Sequence, residues 1–165
     1  MKKIFTLLLV ASAFLANAQA FKGKGDIKAQ VGASFQKGGN GIQVSTDFGI
    51  GENMSYGFVG SYLLGFGDLP AGFEVPFKDR ADIKARFNAN IGKVLTLDDN
   101  MDVYPGLDLG LKNFGAHLGI RYFFSDGFGL YSEIGLPIAS YSKLEDGAIG
   151  YNNQFIFHAG VSFNL

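Results

Sequence analysis

The chain has 165 residues, 24 of them Gly and 17 Phe, with no Cys and a formal charge of −1. That length, at 47% hydrophobic content, suits one domain with a sizeable core and excludes a disordered chain. Without cysteine there is no disulfide framework, thiolate zinc site or cysteine nucleophile, and the near-neutral charge offers no field for nucleic acid.

Met1-Lys2-Lys3 is a basic head, Ile4 to Phe14 an apolar run, and Ala18-Gln19-Ala20 a small-x-small site. This three-part order predicts a secretory signal peptide over residues 1–20, cut after Ala20. The apolar run is too short for the ~20 residues a membrane helix needs. Residues 21–165 form the predicted exported domain, and no peptidoglycan-binding domain is expected after it.

From residue 26 the chain alternates. Ile27, Ala29, Val31, Ala33 and Phe35 share one face, with Asp26, Lys28, Gln30 and Ser34 on the other. Ile42, Val44, Thr46 and Phe48 repeat the pattern. Residues 56–66 follow it less purely, because Val59 and Leu63 share parity with Ser55, Gly57 and Ser61. Ile83, Ala85, Phe87 and Ala89 oppose Asp82, Lys84, Arg86 and Asn88, and four more runs cover 103–111, 114–124, 128–138 and 155–165. Period two over such lengths predicts eight strands and no helix. Gly38-Gly39, Lys112-Asn113 and Ser125-Asp126-Gly127 read as hairpin loops, the first pairing Phe35 with Ile42 and the last placing Gly127 in the left-handed conformation. Pro105, lacking an N–H, is expected near a strand end or bulge.

The alternation fits either a soluble lipocalin-like barrel or a membrane barrel turned inside out. Runs of about nine to eleven residues match a tilted membrane strand. The polar face is rich in glycine, which suits the narrow lumen of an eight-stranded barrel. It also carries Asp26, Asp47, Asp82, Asp108 and Glu133 balanced by Lys28, Lys84, Arg86, Lys112 and Arg121. The centre of the apolar face has no charge, as lipid demands. The expected fold is therefore all-β, an eight-stranded antiparallel up-and-down transmembrane barrel whose lumen holds a structural network of those ten charged residues.

The signal peptide, the eight amphipathic strands and the last strand, Gln154 to Leu165, resemble the small eight-stranded outer-membrane β-barrel proteins of diderm bacteria. The aromatic that closes that family's last strand stands here at Phe163, two positions early. The resemblance implies an outer-membrane location with a periplasmic N-terminus, contact with outer-membrane lipids and the outer-membrane assembly machinery, and a monomer. It carries no catalytic motif. Turns 51–54, 95–100 and 125–127 fall on the periplasmic side, and loops 67–80 and 140–152 on the outside, where Leu69, Phe73, Val75 and Phe77 are candidate contacts for an unidentified partner.

Chemistry is sparse. His117 and His158 share lumen parity, and with Ser162 and Glu133 they raise the alternative of an outer-membrane lipid hydrolase. A triad needs direct contact among its members, and an acyl substrate lies outside the barrel. Asp98-Asp99-Asn100 with Asp102 reads as a polar turn rather than a metal site, and no cofactor is expected. The leading expectation is a non-enzymatic envelope protein with a plugged polar lumen, acting through its outer loops. The alternatives are a narrow channel or carrier for small solutes and a soluble lipocalin-like carrier.

Overall fold

The computed structural model describes residues 19–67, 74–141 and 150–165. Its strands are β1 (Ile27–Gln36), β2 (Gly39–Gly49), β3 (Met54–Phe66), β4 (Ala81–Ala89), β5 (Met101–Gly110), β6 (Asn113–Ser125), β7 (Phe128–Ser140) and β8 (Ile156–Asn164). Each pairs antiparallel with the next, and β8 pairs antiparallel with β1 from Lys28–Asn164 to Gln36–Ile156. The sheet closes into a barrel with no free edge, the arrangement that lets strands cross a bilayer with every ladder satisfied. Both ends of the described chain lie at the mouth that carries the turns after β2, β4 and β6, here the terminal mouth. The longer connections lie at the opposite, loop mouth.

Burial is inverted relative to a water-soluble domain. Among the described residues twenty-one polar or charged side chains are buried against nine apolar ones, while Val44, Phe58, Ile83, Leu109, Leu130 and Ile134 are exposed. So continuous an apolar exterior on a closed barrel is what hydrocarbon selects. Aromatic rings collect at its ends. Phe48 meets Tyr56 (5.4 Å), Tyr122 meets Phe124 (5.2 Å) and Phe128 meets Phe163 (5.8 Å) towards the terminal mouth, with Phe35 against Phe157 (6.2 Å) at the other.

The hairpins differ from the sequence expectation in register but not in face. Gln36 pairs with Gly39, so the first turn is Lys37-Gly38, with Gly38 at φ +76°, and Phe35 opposes Asn40 rather than Ile42. Leu109 pairs with Phe114, which moves the next turn from Lys112-Asn113 to Leu111-Lys112 and draws Asn113 into β6. Both shifts are of two residues, which keeps every side chain on its face and is therefore invisible to alternation. At the third hairpin a bulge near Phe124 brings Ser125 opposite Phe128, leaving a two-residue Asp126-Gly127 turn in which Gly127 lies outside the left-handed region.

Pro105 sits inside β5 rather than near its end. The β4–β5 ladder runs from Lys84–Gly110 to Asn88–Gly106 and stops there, so Met101 to Tyr104 are laddered with β6, while Ile91 N–H still donates to the Val103 carbonyl at 2.9 Å. The missing N–H of proline coincides with the end of that ladder. The connection after β3, expected to have no helix, holds one helical turn, α1 (Phe77–Arg80), started by Pro76 at φ −60°.

The apolar exterior makes a direct prediction. Val44→Arg or Ile134→Arg should destabilise the barrel refolded in lipid bilayers by about 2–4 kcal/mol, as for charges near a midplane. Gly135→Ser, on the inner face with no atom closer than 4.0 Å to a built Cβ, should leave stability nearly unchanged. Urea titrations of the refolded variants measure the difference.

Candidate functional site

The inner face is a layered polar interior. Its centre is Arg86 on β4, 3% exposed, whose guanidinium is held from several sides. Nε and Nη2 donate to Asp47 Oδ1 and Oδ2, both at 2.6 Å, a two-pronged grip on one carboxylate. Nη1 reaches across the lumen to Glu133 Oε2 on β7 at 3.0 Å, and Nη2 also donates to Gln30 Oε1 (3.1 Å) and Ser45 Oγ (3.1 Å). Charges taken out of water are tolerated only with such pairing and hydrogen bonding.

Arg121 on β6 forms the next layer towards the terminal mouth. Its Nη2 donates to Asp102 Oδ2 at 2.9 Å, and Nη1 lies 3.6 Å from Asp47 Oδ2, an ionic contact rather than a hydrogen bond. The guanidinium stacks on the Tyr104 ring at 4.6 Å, and the Tyr104 hydroxyl accepts from Gln30 Nε2 at 3.2 Å. Below it Lys28 Nζ donates to Asp26 at 2.6 Å and lies 5.3 Å from the centre of the Phe123 ring.

A side branch climbs the wall. Asn90 Nδ2 donates to Asp102 (2.9 Å), Ser55 Oγ to Asn90 (3.0 Å) and Asn88 Nδ2 to Ser55 (3.1 Å). His117 Nε2 then meets Asn88 Oδ1 at 2.8 Å, and its Nδ1 stands 3.0 Å from Asp108 Oδ1, close in charge but not aligned as a hydrogen bond. Asp47, Arg86, Glu133, Asp102, Arg121 and this branch are one connected network spanning six strands.

Glycine makes room for it. Tyr104 pairs with Gly119, His117 with Gly106, Asp47 with Gly57 and Phe123 with Gly129. A Cβ on Gly119 would overlap the Tyr104 ring, and one on Gly106 the imidazole. Large side chain opposite glycine is the packing rule of this narrow lumen, and it accounts for a polar face so rich in the smallest residue.

The loop half is sparser. Lys84 Nζ is 3.8 Å from Asp82 Oδ2, and Ser61, Lys84, Asp108, Glu133, Gln154 and His158 line a cavity of about 20 Å³, room for a single water. Lys112, expected among the lumen ion pairs, instead donates to the backbone carbonyls of Asp79 (3.0 Å) and Tyr151 (3.4 Å). Burial pulls its ammonium below the ordinary lysine range. It is drawn there because the turn lies one residue earlier, which places Lys112 in the turn at the barrel rim.

Asn152, at φ +59° and 1% exposed, ties the loop mouth together. Its N–H donates to Gln36 Oε1 (2.7 Å), its Nδ2 to Asp79 O (3.0 Å), and its carbonyl accepts from Asn113 Nδ2 (2.9 Å). Val75, expected as an outward contact, is buried (5% exposed), whereas Phe77 is 72% exposed with its ring 5.8 Å from Tyr62. Leu69 and Phe73 lie outside the described residues.

Sequence parity misses Asp102, which precedes the run beginning at Val103. It puts Asn88 and Asn90 on the polar face but gives them no part in the network, and it overlooks Tyr104, because none of the three carries a formal charge. Asp102 shares parity with Tyr104 and Asp108, a signal lost when the strand is begun one residue late. Asn152 has no sequence signal, since it lies outside every alternating run. The imagined triad is not assembled. Ser162 and His158, four residues apart on β8, are separated by roughly 13 Å of strand, and neither Ser162 Oγ nor His158 Nδ1 has a hydrogen-bond partner.

The chain matches, over residues 11–165, a protein family of unknown function designated DUF6646, and it belongs to that family. No curated protein matches it. Among solved structures it is similar to a de novo designed transmembrane β-barrel, with 9% identity, a TM-score of 0.54 and coverage of 87% of this chain and 98% of that one. It also aligns with outer membrane protein G from Pseudomonas aeruginosa, at 9% identity and a TM-score of 0.49 over 88% of this chain and 99% of that one. The likeness to the designed barrel shows the fold, here a closed antiparallel barrel of eight strands similar to transmembrane barrels.

Arg86→Met should be costly, because it removes the buried cation that Asp47 and Glu133 share. Losing one partner of a buried ion pair costs about 3–5 kcal/mol, to be read as a lower urea midpoint by circular dichroism in detergent. Gly119→Val should also destabilise, by about 1–3 kcal/mol of overpacking against Tyr104, in the same titration.

Proposed function

We propose that this family member is an integral outer-membrane β-barrel with a plugged polar lumen, non-enzymatic, serving envelope structure or surface interaction through outer loops 67–80 and 140–152. The observation that carries the plug is Arg86 spanning the lumen between Asp47 on β2 and Glu133 on β7, with Arg121 and Tyr104 stacked in the adjoining layer. An ion passing that layer would have to break several charge-assisted bonds in a low-dielectric wall. In this reading the ten charged residues from Asp26 to Glu133 are structural, with Lys112 serving the rim.

The basic head and apolar run of residues 1–20 support export, and the lipid-like exterior supports insertion into the outer membrane, with the terminal mouth in the periplasm. The amphipathic last strand is the segment offered to the assembly machinery. The closed barrel presents no unpaired strand edge, which suits a monomer. Phe77, with Leu69 and Phe73, is the candidate contact for a partner outside.

A second reading, a narrow channel or carrier for small solutes, is favoured by the small cavity beside Lys84, Glu133 and His158. Planar-bilayer recording of the purified barrel separates the two. The plugged reading predicts no sustained openings at moderate voltage, and discrete single-channel openings would contradict it in favour of the channel.

A further inference from the structure

The terminal mouth is filled by the chain that precedes β1. Ala20 is fully buried against Phe123, and its N–H donates to the carbonyl of Asp99 at 2.7 Å. Phe21 is 5% exposed, its ring 5.9 Å from the Arg121 guanidinium. Lys22 N–H donates to Asp26 Oδ2 (3.1 Å), Gly25 N–H to Gly49 O (2.9 Å) and Asp26 N–H to Gly23 O (3.1 Å). Gly23 and Gly25, at φ +99° and +85°, allow the segment to turn back over the opening, a conformation that suits glycine. Residues 20–26 are thus a built plug joined to the charged layer above it.

A cut after Ala20 would damage this plug. It would remove the amide that Asp99 binds and the side chain that packs on Phe123. It would also place a new α-ammonium on buried Phe21, whose ring lies 5.9 Å from the Arg121 guanidinium, where a buried charge near a like charge is unfavourable. The sequence contains a second small-x-small site, Ala16-Asn17-Ala18, which serves a leader peptidase equally well.

We propose that the mature chain begins at Gln19, through hydrolysis of the Ala18–Gln19 peptide bond, and that residues 19–26 form the permanent plug of the periplasmic mouth. Water adds across that bond, leaving a carboxylate on Ala18 of the released leader and an amine on Gln19. The charge then stands two residues from Phe21, at the half-buried rim. The inference rests on the export reading above and moves its cleavage point by two residues.

Intact-mass measurement on the full chain, exported and recovered from a membrane fraction, tests it. The expected mass is that of a chain starting at Gln19, or that mass less one ammonia from cyclisation of the terminal glutamine. A chain starting at Phe21 overturns the proposal while leaving export intact. An uncut chain starting at Met1 overturns both. A second comparison tests the plug itself, by refolding chains that begin at Gln19 and at Phe21 in detergent. The shorter one should unfold at a lower urea midpoint, and equal midpoints would overturn the plug.

Discussion

Two guanidinium groups sit inside a wall of apolar strands, and the rest of the structure is arranged around neutralising them. Arg86 is gripped by Asp47 and reaches Glu133, and Arg121 is bound by Asp102 and stacked on Tyr104. Removing one carboxylate would strand a charge in a low-dielectric space, a penalty comparable to much of a small protein's net stability. The network therefore fixes what each strand must present inward. It also explains the glycines, because a barrel this narrow admits Tyr104, His117 and Asp47 only where the paired residue has no side chain.

The exterior follows from the same economy of space. Eight strands enclose so little volume that the interior is filled by its own polar side chains, and the apolar side chains have only the outside left to occupy. Such a barrel suits hydrocarbon, because the closed sheet leaves no free strand edge to be satisfied by lipid. The two mouths are finished differently. The terminal mouth is packed by Ala20, Phe21 and Phe123, and the loop mouth is tied by the hydrogen bonds of Asn152 to Gln36, Asp79 and Asn113.

The architecture was legible because each strand writes its period into its own residues. Eight alternating runs correspond to eight strands, and even the impure third run has Val59 and Leu63 inside, as their parity implies. Register was not legible in the same way. A two-residue slip at Lys37-Gly38 or Leu111-Lys112 changes every cross-strand partner and no facing, so alternation is silent about it. Partner choice inside the lumen is further from the sequence still. Arg86 and Glu133 are 47 residues apart and meet only because the barrel closes, while Asn152 acts from a position that no pattern marks. Pro105 shows the converse, a residue whose chemistry was read correctly and whose place was not, since the ladder that ends beside it belongs to one neighbour only.

The central claim is a closed, lipid-embedded barrel held from within by paired charges. Gel mobility of boiled and unboiled protein extracted from the outer-membrane fraction tests it most directly. The account predicts that the unboiled sample from that fraction runs as a compact, faster band that boiling converts to the slower unfolded one. Recovery in a soluble fraction with identical mobility before and after boiling would contradict it.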